Sequence, residues 1–200
     1  MIQSPFDKDG KIRFSSSLPY PPLEVEEPNA QYARMLGNDL ASAKSEMTSI
    51  CQYLYHSWTL PKSVDDIPTI MRRIAEVEMH HFDMLGQLIV KLGGNPRYMS
   101  INKRPQFWQG RMVVCSRTPA MALKDDMVLE QSTIAVYRGQ VSAIRDHHIV
   151  AVLRRILIDE EIHLAIFRYL FSQINAGGKG GKERGSAGKE EETGMGINIV

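Results

Sequence analysis

Cysteine is nearly missing: Cys51 and Cys115 stand alone, far apart and without a CxxC spacing. That excludes a disulfide framework, a zinc ribbon and a four-cysteine iron site. Neither charge sign is in excess, with 24 basic against 23 acidic side chains and a net charge of +1. A nucleic-acid binder carries a basic surplus on one face, so nucleic acid is not an expected partner. No apolar run approaches the roughly 18 residues a membrane span needs, so no membrane is expected either. The opening MIQSPFDKDGKIRF lacks a hydrophobic signal core, and a cytoplasmic protein is expected.

What is present is an ordinary globular composition, 43% hydrophobic and 24% charged over 200 residues, enough for one domain with a proper core. Five prolines (Pro5, Pro19, Pro21, Pro22, Pro28) crowd the first 28 residues, which read as an extended arm. From Asn29 the pattern changes. AQYARMLGNDLASAKSEMTSICQYLYHSW has apolar residues at helical spacing and no proline until Pro61, and reads as one long helix. LPKSVDDIP then offers Ser63, Asp65 and Asp66 as N-caps, with Pro68 in the first turn. The second helix, IMRRIAEVEMHHFDMLGQLIVKL, stops at Gly93-Gly94.

Residues 95–118 are aperiodic, and so long a connection inside a compact domain needs a reason. A crossover running the length of a bundle supplies one, because a helix of about 27 residues is roughly 40 Å long. A third helix is expected over 119–144, a tight joint at Arg145-Asp146, and a fourth helix from His147 to Ile174. After Asn175 the chain becomes AGGKGGKERGSAGKEEETG, a charged, glycine-rich linker ending in the apolar MGINIV. Such tips are commonly inert; a short apolar end on a solvated linker is also how a docking peptide is carried. The chain thus divides into an arm (1–28), an all-α four-helix bundle of two hairpins joined by a long crossover (29–175), and a tail (176–200).

Chemistry sits inside the helices. Helix two carries Glu78 and His81, and helix four carries Glu160 and His163, each pair at i and i+3. That spacing puts carboxylate and imidazole one turn apart on one face, able to reach a single ion. With 13 glutamates and 6 histidines in 200 residues, chance supplies fewer than one such pair. Both pairs interrupt apolar stripes: Ile74, Leu85, Leu88 and Leu92 on helix two, Leu153, Ile156, Phe167 and Leu170 on helix four. An unpaired carboxylate buried there would cost several kcal/mol, so something must neutralise it. Glu46 and Glu130 lie mid-helix on helices one and three, each followed seven residues later by a tyrosine, Tyr53 and Tyr137. Each hairpin therefore reads Glu, Tyr, Glu-x-x-His. Packed about a two-fold, they bring four carboxylates and two imidazoles together at mid-bundle. The tyrosine hydroxyls point back toward carboxylates one to two turns earlier. Glu76, His80 and Glu161 fall on other faces, His56, His147 and His148 near helix ends facing solvent, and Cys51 is an inert core thiol off the stripe.

This pattern resembles the ferritin-like di-iron or di-manganese carboxylate proteins, and among them the rubrerythrin-like branch. The resemblance covers residues 30–175. It implies terminal or bridging carboxylates at Glu46, Glu78, Glu130 and Glu160, imidazole ligands at His81 and His163, and two iron or two manganese ions per chain. Asp159, in DEEIH, matches an acidic residue that orients an imidazole from another helix, here His81. Such donors suit iron and manganese alike. The implied activity is redox chemistry on hydrogen peroxide or O₂, peroxidase-, catalase- or ferroxidase-like, with the ligands held by Tyr53, Tyr137 and Asp159. The sequence departs from rubrerythrins twice. It lacks the four cysteines of a rubredoxin module, so electrons come from a separate donor or from the substrate itself. It also has Thr133 where they tend to carry an additional glutamate. Iron storage, with delivery to a compartment by the tail, and a structural protein with a metal-stabilised bundle are the alternatives. A homodimer is the expected assembly.

Overall fold

The computed structural model describes residues 4–62, 66–101 and 104–177. Ser63, Asp65 and the MGINIV tip lie outside the described residues. Among the described residues there are five α-helices: α1 (Ala30–Leu40), α2 (Glu46–Thr59), α3 (Ile67–Lys91), α4 (Pro119–Ala143) and α5 (His147–Gly177). The α2–α3 and α4–α5 pairs are the two hairpins, and α1 packs on α3.

The first expected helix is therefore two. Residues 41–45 break it, although none is proline or glycine. Their hydroxyls explain the break. Ser45 Oγ and Thr48 Oγ1 donate to the Ser42 carbonyl at 2.8 and 2.6 Å, and Ser45 Oγ accepts from the Thr48 amide. Side chains thus take the bonds a continuing helix would need, and Ser45 caps a new one. Glu46 is consequently the first residue of α2, not a mid-helix position.

The other boundaries follow local chemistry. The Asn29 side chain accepts from the Gln31 and Tyr32 amides, both at 3.0 Å, opening α1. Asp66 precedes α3 in the left-handed region (φ 47) and makes no side-chain cap bond. Beyond α3, Gly93 adopts φ +77, which favours glycine. Gly94 is required by space: a Cβ there would lie 2.7 Å from Ala33 Cβ, so α1 and the end of α3 approach closely. Pro119 begins α4 behind the Thr118 cap. Asp146 Oδ1 accepts from the His148 and Ile149 amides where α5 starts.

The crossover is more ordered than its aperiodic sequence implies. An antiparallel hairpin, β1 (Met99–Ile101) with β2 (Pro105–Phe107), pairs Met99 with Phe107 and leads into a single 3₁₀ turn, Gly110–Met112. It is tied to α1 by Ile101 N–H to Asn38 Oδ1 (2.7 Å) and to α2 by Trp108 Nε1–H to Thr48 Oγ1 (2.9 Å).

The apolar core forms two blocks. One includes Leu36, Leu40, Leu85, Leu88, Leu153 and Ile156; the other includes Met71, Ile74, Ile162, Ile166 and Phe167. Burying each such side chain contributes about 1.5–3 kcal/mol. Along both α3 and α5 the residues between the blocks are polar and buried: Glu78, His81, Asp159, Glu160 and His163. The arm lies over both blocks, Ile12 and Phe14 against one and Tyr20, Leu23 and Val25 against the other. No helix among the described residues is long and apolar enough to cross a membrane.

Candidate metal centre

The polar layer gathers residues from four helices. Glu46 opens α2, Glu78 and His81 lie one turn apart on α3, Glu130 is on α4, and Glu160 and His163 are on α5. All six are at most 1% exposed. They form two overlapping donor groups, Glu46–Glu78–His81–Glu160 and Glu78–Glu130–Glu160–His163, each with its donor atoms within 4.8 Å of one another. Glu78 and Glu160 belong to both groups. His81 Nδ1 lies 3.0 Å from Glu160 Oε1, and His163 Nδ1 lies 2.9 Å from Glu78 Oε1.

Those short distances are not hydrogen bonds. Glu46 Oε2, Glu78 Oε1, Glu130 Oε2, both Glu160 oxygens and His163 Nδ1 are buried without a hydrogen-bond partner. Buried polar atoms are ordinarily paired, and this many orphans in one place mark converging donors with no partner in the protein. Four carboxylates and two imidazole nitrogens around two positions are a donor set that fits iron or manganese. Electrostatics agree. Burial, then the neighbouring Glu160 and Glu78 charges, push the Glu46 and Glu130 carboxyls well above the usual range. Burial disfavours an imidazolium at His81, yet the carboxylates of Asp159, Glu160 and Glu78 around its ring raise its pKa well above the ordinary value. His163 is raised too, against its burial, mainly by Glu78. The layer demands positive charge, as protons or as cations.

The surrounding residues hold the donors in place. Tyr53 O–H donates to Glu130 Oε1 at 2.6 Å, and Tyr137 O–H donates to Glu46 Oε1. Both bonds cross from one hairpin to the other instead of reaching back along the tyrosine's own helix. Asp159 Oδ2 sits 3.2 Å from His81 Nε2. Burial opposes the charge on Asp159, but the His81 hydrogen bond leads the effects that hold its carboxyl down at about 2.

The arm completes this shell, which the sequence reading did not anticipate. Phe14 carbonyl accepts from His163 Nε2 at 2.8 Å. Asp159 accepts from the Ser16 amide at 2.7 Å and from Tyr20 O–H at 2.5 Å. Arg155 Nη1 lies 2.6 Å from Asp159 Oδ1, while its other nitrogens donate to the Leu18 and Ser16 carbonyls. Its guanidinium also stacks 4.0 Å over the Tyr20 ring. Burial pushes the Tyr20 hydroxyl up to about 12, so it stays a donor. The available signal was Tyr20 itself, an aromatic set among prolines in LPYPP.

Two expectations for other residues are corrected. His56 does not face solvent: it is fully buried, with Nδ1 3.1 Å from Asp126 Oδ2. Gln52 bridges that pair to the crossover, donating to Asp126 Oδ1 (2.8 Å) and accepting from the Val114 amide (3.0 Å). Cys51 is half-buried, not in the core. His147 is exposed beside Glu26, and His148 is partly exposed. Glu76 pairs with Arg73 and Glu161 with Arg138 on the outer faces, and His80 packs its ring edge-on to Tyr20. Thr133 is buried and donates to the Leu129 carbonyl.

Comparison with known proteins agrees with this architecture. The ferritin-like domain family matches residues 41–176. KatB, a manganese catalase from Anabaena, has a TM-score of 0.70 at 18% identity, covering 90% of this chain and 88% of that one. A dodecameric thioferritin from Bacteroides fragilis has a TM-score of 0.63 at 16% identity, covering 76% and 91%. The Mycobacterium tuberculosis bacterioferritin BfrA has a TM-score of 0.60 at 23% identity, covering 78% and 92%. No curated protein matches the chain. At these identities the structural likeness speaks for the fold alone, but the family match spans most of the bundle. With its helical hairpins and their buried carboxylate–histidine layer, the chain belongs to the ferritin-like domain family.

Proposed function

We propose that the chain is a dinuclear metal oxidoreductase acting on hydrogen peroxide or dioxygen. Two iron or manganese ions would be held by Glu46, Glu78, His81, Glu130, Glu160 and His163. The observation that carries this reading is the set of buried donor atoms that converge without pairing with one another. Two such ions supply reversible electron transfer to an O–O bond. The protein's part is positional. Glu78 and Glu160, common to both donor groups, would serve both ions. Glu46 and Glu130, each held by a tyrosine from the opposite hairpin, would each serve one. Asp159 and the Phe14 carbonyl fix the two imidazoles. The apolar blocks on either side keep bulk water out.

Likeness to a manganese catalase over nine-tenths of the chain supports peroxide as substrate. Disproportionation needs no outside reductant: one peroxide is oxidised to O₂ while a second is reduced to two waters. A peroxidase-like reaction would instead draw two electrons from a separate donor. A homodimer in the cytoplasm is the proposed assembly and setting, and Met121, Val128 and Val136, exposed on α4, offer an apolar face for pairing. The tail from residue 176 is proposed as a tether to a partner.

The test is metal content of protein purified without added metal, followed by peroxide consumption with an oxygen electrode. About two iron or manganese atoms per chain are expected. One O₂ released for every two peroxides consumed identifies disproportionation; consumption that waits on a reductant and releases no O₂ identifies a peroxidase. Ferrous oxidation with mineral retained in a large shell would favour iron storage instead. A chain that stays metal-free after anaerobic reconstitution refutes the dinuclear reading.

A further inference from the structure

A donor layer buried between apolar blocks must still be reached by its substrate, and the chain does not cover the four donor helices evenly. The arm lies across α3 and α5: Phe14 meets Arg73 and His163, and Tyr20 meets His80 and Asp159. The crossover lies across α2 and α4, with the Val114 amide on Gln52 and Ser116 Oγ on Asp125. Between α4 and α5 there is a groove of about 450 Å³, and it is lined by residues of these two helices alone.

The groove keeps step with the donors. Gln131 and Glu161, in its wall, directly follow Glu130 and Glu160. Ile134 and Leu164 follow the same two donors by four residues, one helical turn along the same side, and Leu164 also follows His163. Ile134 and Leu164 are 5% and 7% exposed and make the floor, whereas Gln131, Ala135 and Arg138 stand exposed at the rim. Arg138 reaches from α4 to α5, its Nη2 lying 2.7 Å from Glu161 Oε1, so the rim is crossed by a neutral ion pair. One turn from the floor lie the buried, unpaired oxygens of Glu130 and Glu160.

We propose that hydrogen peroxide enters through this groove, and that Ile134 and Leu164 form a gate limiting the size of what passes. The route rests on the dinuclear reading. Crossing an apolar floor costs an ion far more than a neutral molecule, so the gate favours peroxide over charged oxidants. A branched alkyl hydroperoxide is neutral as well, but a close-packed wall has no free space beside its own branched side chains. Rotamer changes at the two floor residues open the way without parting α4 from α5.

Two measurements test the groove. In the metal-stripped full chain, O₂ dissolved under pressure is a paramagnetic probe close to peroxide in size. The methyl protons of Ile134 and Leu164 should gain more relaxation from it than those of Leu60 and Ile70, which are each 6% exposed. Ala135→Trp, at the exposed rim, should remove that excess. In the metal-loaded chain, Leu164→Ala should raise kcat/KM for tert-butyl hydroperoxide relative to hydrogen peroxide at least about tenfold, since a single methylene in such a wall is worth about 10–200-fold. Ala135→Trp should lower kcat/KM for hydrogen peroxide with metal content unchanged. If Leu164→Ala does not fold, the relaxation of the native chain and the Ala135→Trp kinetics decide. No excess relaxation at Ile134 and Leu164, or native kinetics and native size preference in the variants, would overturn the groove as the entry. Metal content and peroxide consumption of the native chain test the dinuclear reading on their own, so the two can fail separately.

Discussion

Asp39→Asn should make this protein more stable, and only above acidic pH. Asp39 is 5% exposed, it accepts a hydrogen bond from the neutral Gln140 amide, and no cation pairs with it among the described residues. Burial leads the effects on it and pushes its carboxyl from an ordinary 3.8 up to about 7, the Gln140 bond pulling the other way. Between those values the folded chain binds a proton that the unfolded chain has released. The favourable contribution of this group is full below pH 3.8 and is lost as the pH climbs through about 7. About three pH units at about 1.36 kcal/mol each set a ceiling of about 4 kcal/mol, lowered by water in the cleft that Asp39 lines. Asparagine keeps the shape and a partner for Gln140 without the charge. In urea unfolding of metal-stripped protein, the variant should match the native chain near about pH 4 and exceed it by about 2–4 kcal/mol near about pH 8. Taking the difference cancels every other titrating group. A difference independent of pH, or a variant less stable at the alkaline end, would refute the reasoning.

Other perturbations follow from the same structure. Tyr20→Phe removes the arm's hydroxyl from Asp159 and should weaken metal affinity by about 10–100-fold in a chelator competition, with the helical content unchanged. Arg155→Leu takes one of two positive partners from the buried Asp159, leaving His81, and should cost about 1–3 kcal/mol in denaturant unfolding. Gly94→Ala forces a methyl to within 2.7 Å of Ala33 Cβ, and a loss of about 1–3 kcal/mol is expected from the same assay. An unchanged unfolding midpoint would mean that α1 shifts at no cost.

The bundle was legible because its signals are periodic and local. The ends of α3, α4 and α5 fall where glycine, proline and the Arg145-Asp146 joint place them. Four of the six converging residues stood out because charge at i and i+3 interrupts an otherwise apolar stripe, and Glu46 and Glu130 because each precedes a tyrosine by seven residues. What escaped depends on contacts distant in sequence. Nothing near His56 announces that Asp126, 70 residues on, would bury it. The arm's proline spacing shows an extended chain but not that its carbonyls and amides would meet α5, 137 and more residues away. The break at 41–45 left a trace in Ser42, Ser45 and Thr48, but hydroxyls compete with helical bonds only where geometry lets them, and the helical spacing of apolar residues without a proline argued for continuity.

The crossed tyrosine bonds have a kinetic consequence. Tyr53 reaches from the first hairpin to Glu130 of the second, and Tyr137 reaches back to Glu46. A fluctuation that peels one hairpin away breaks both links at once and splits both donor groups, since each draws on α3 and α5. With two ions held as proposed, neither half would keep one while the other let go. Capture and release of the pair would then be set by a single opening of the bundle along its seam, and a half-loaded chain would be a passing species, not a resting one.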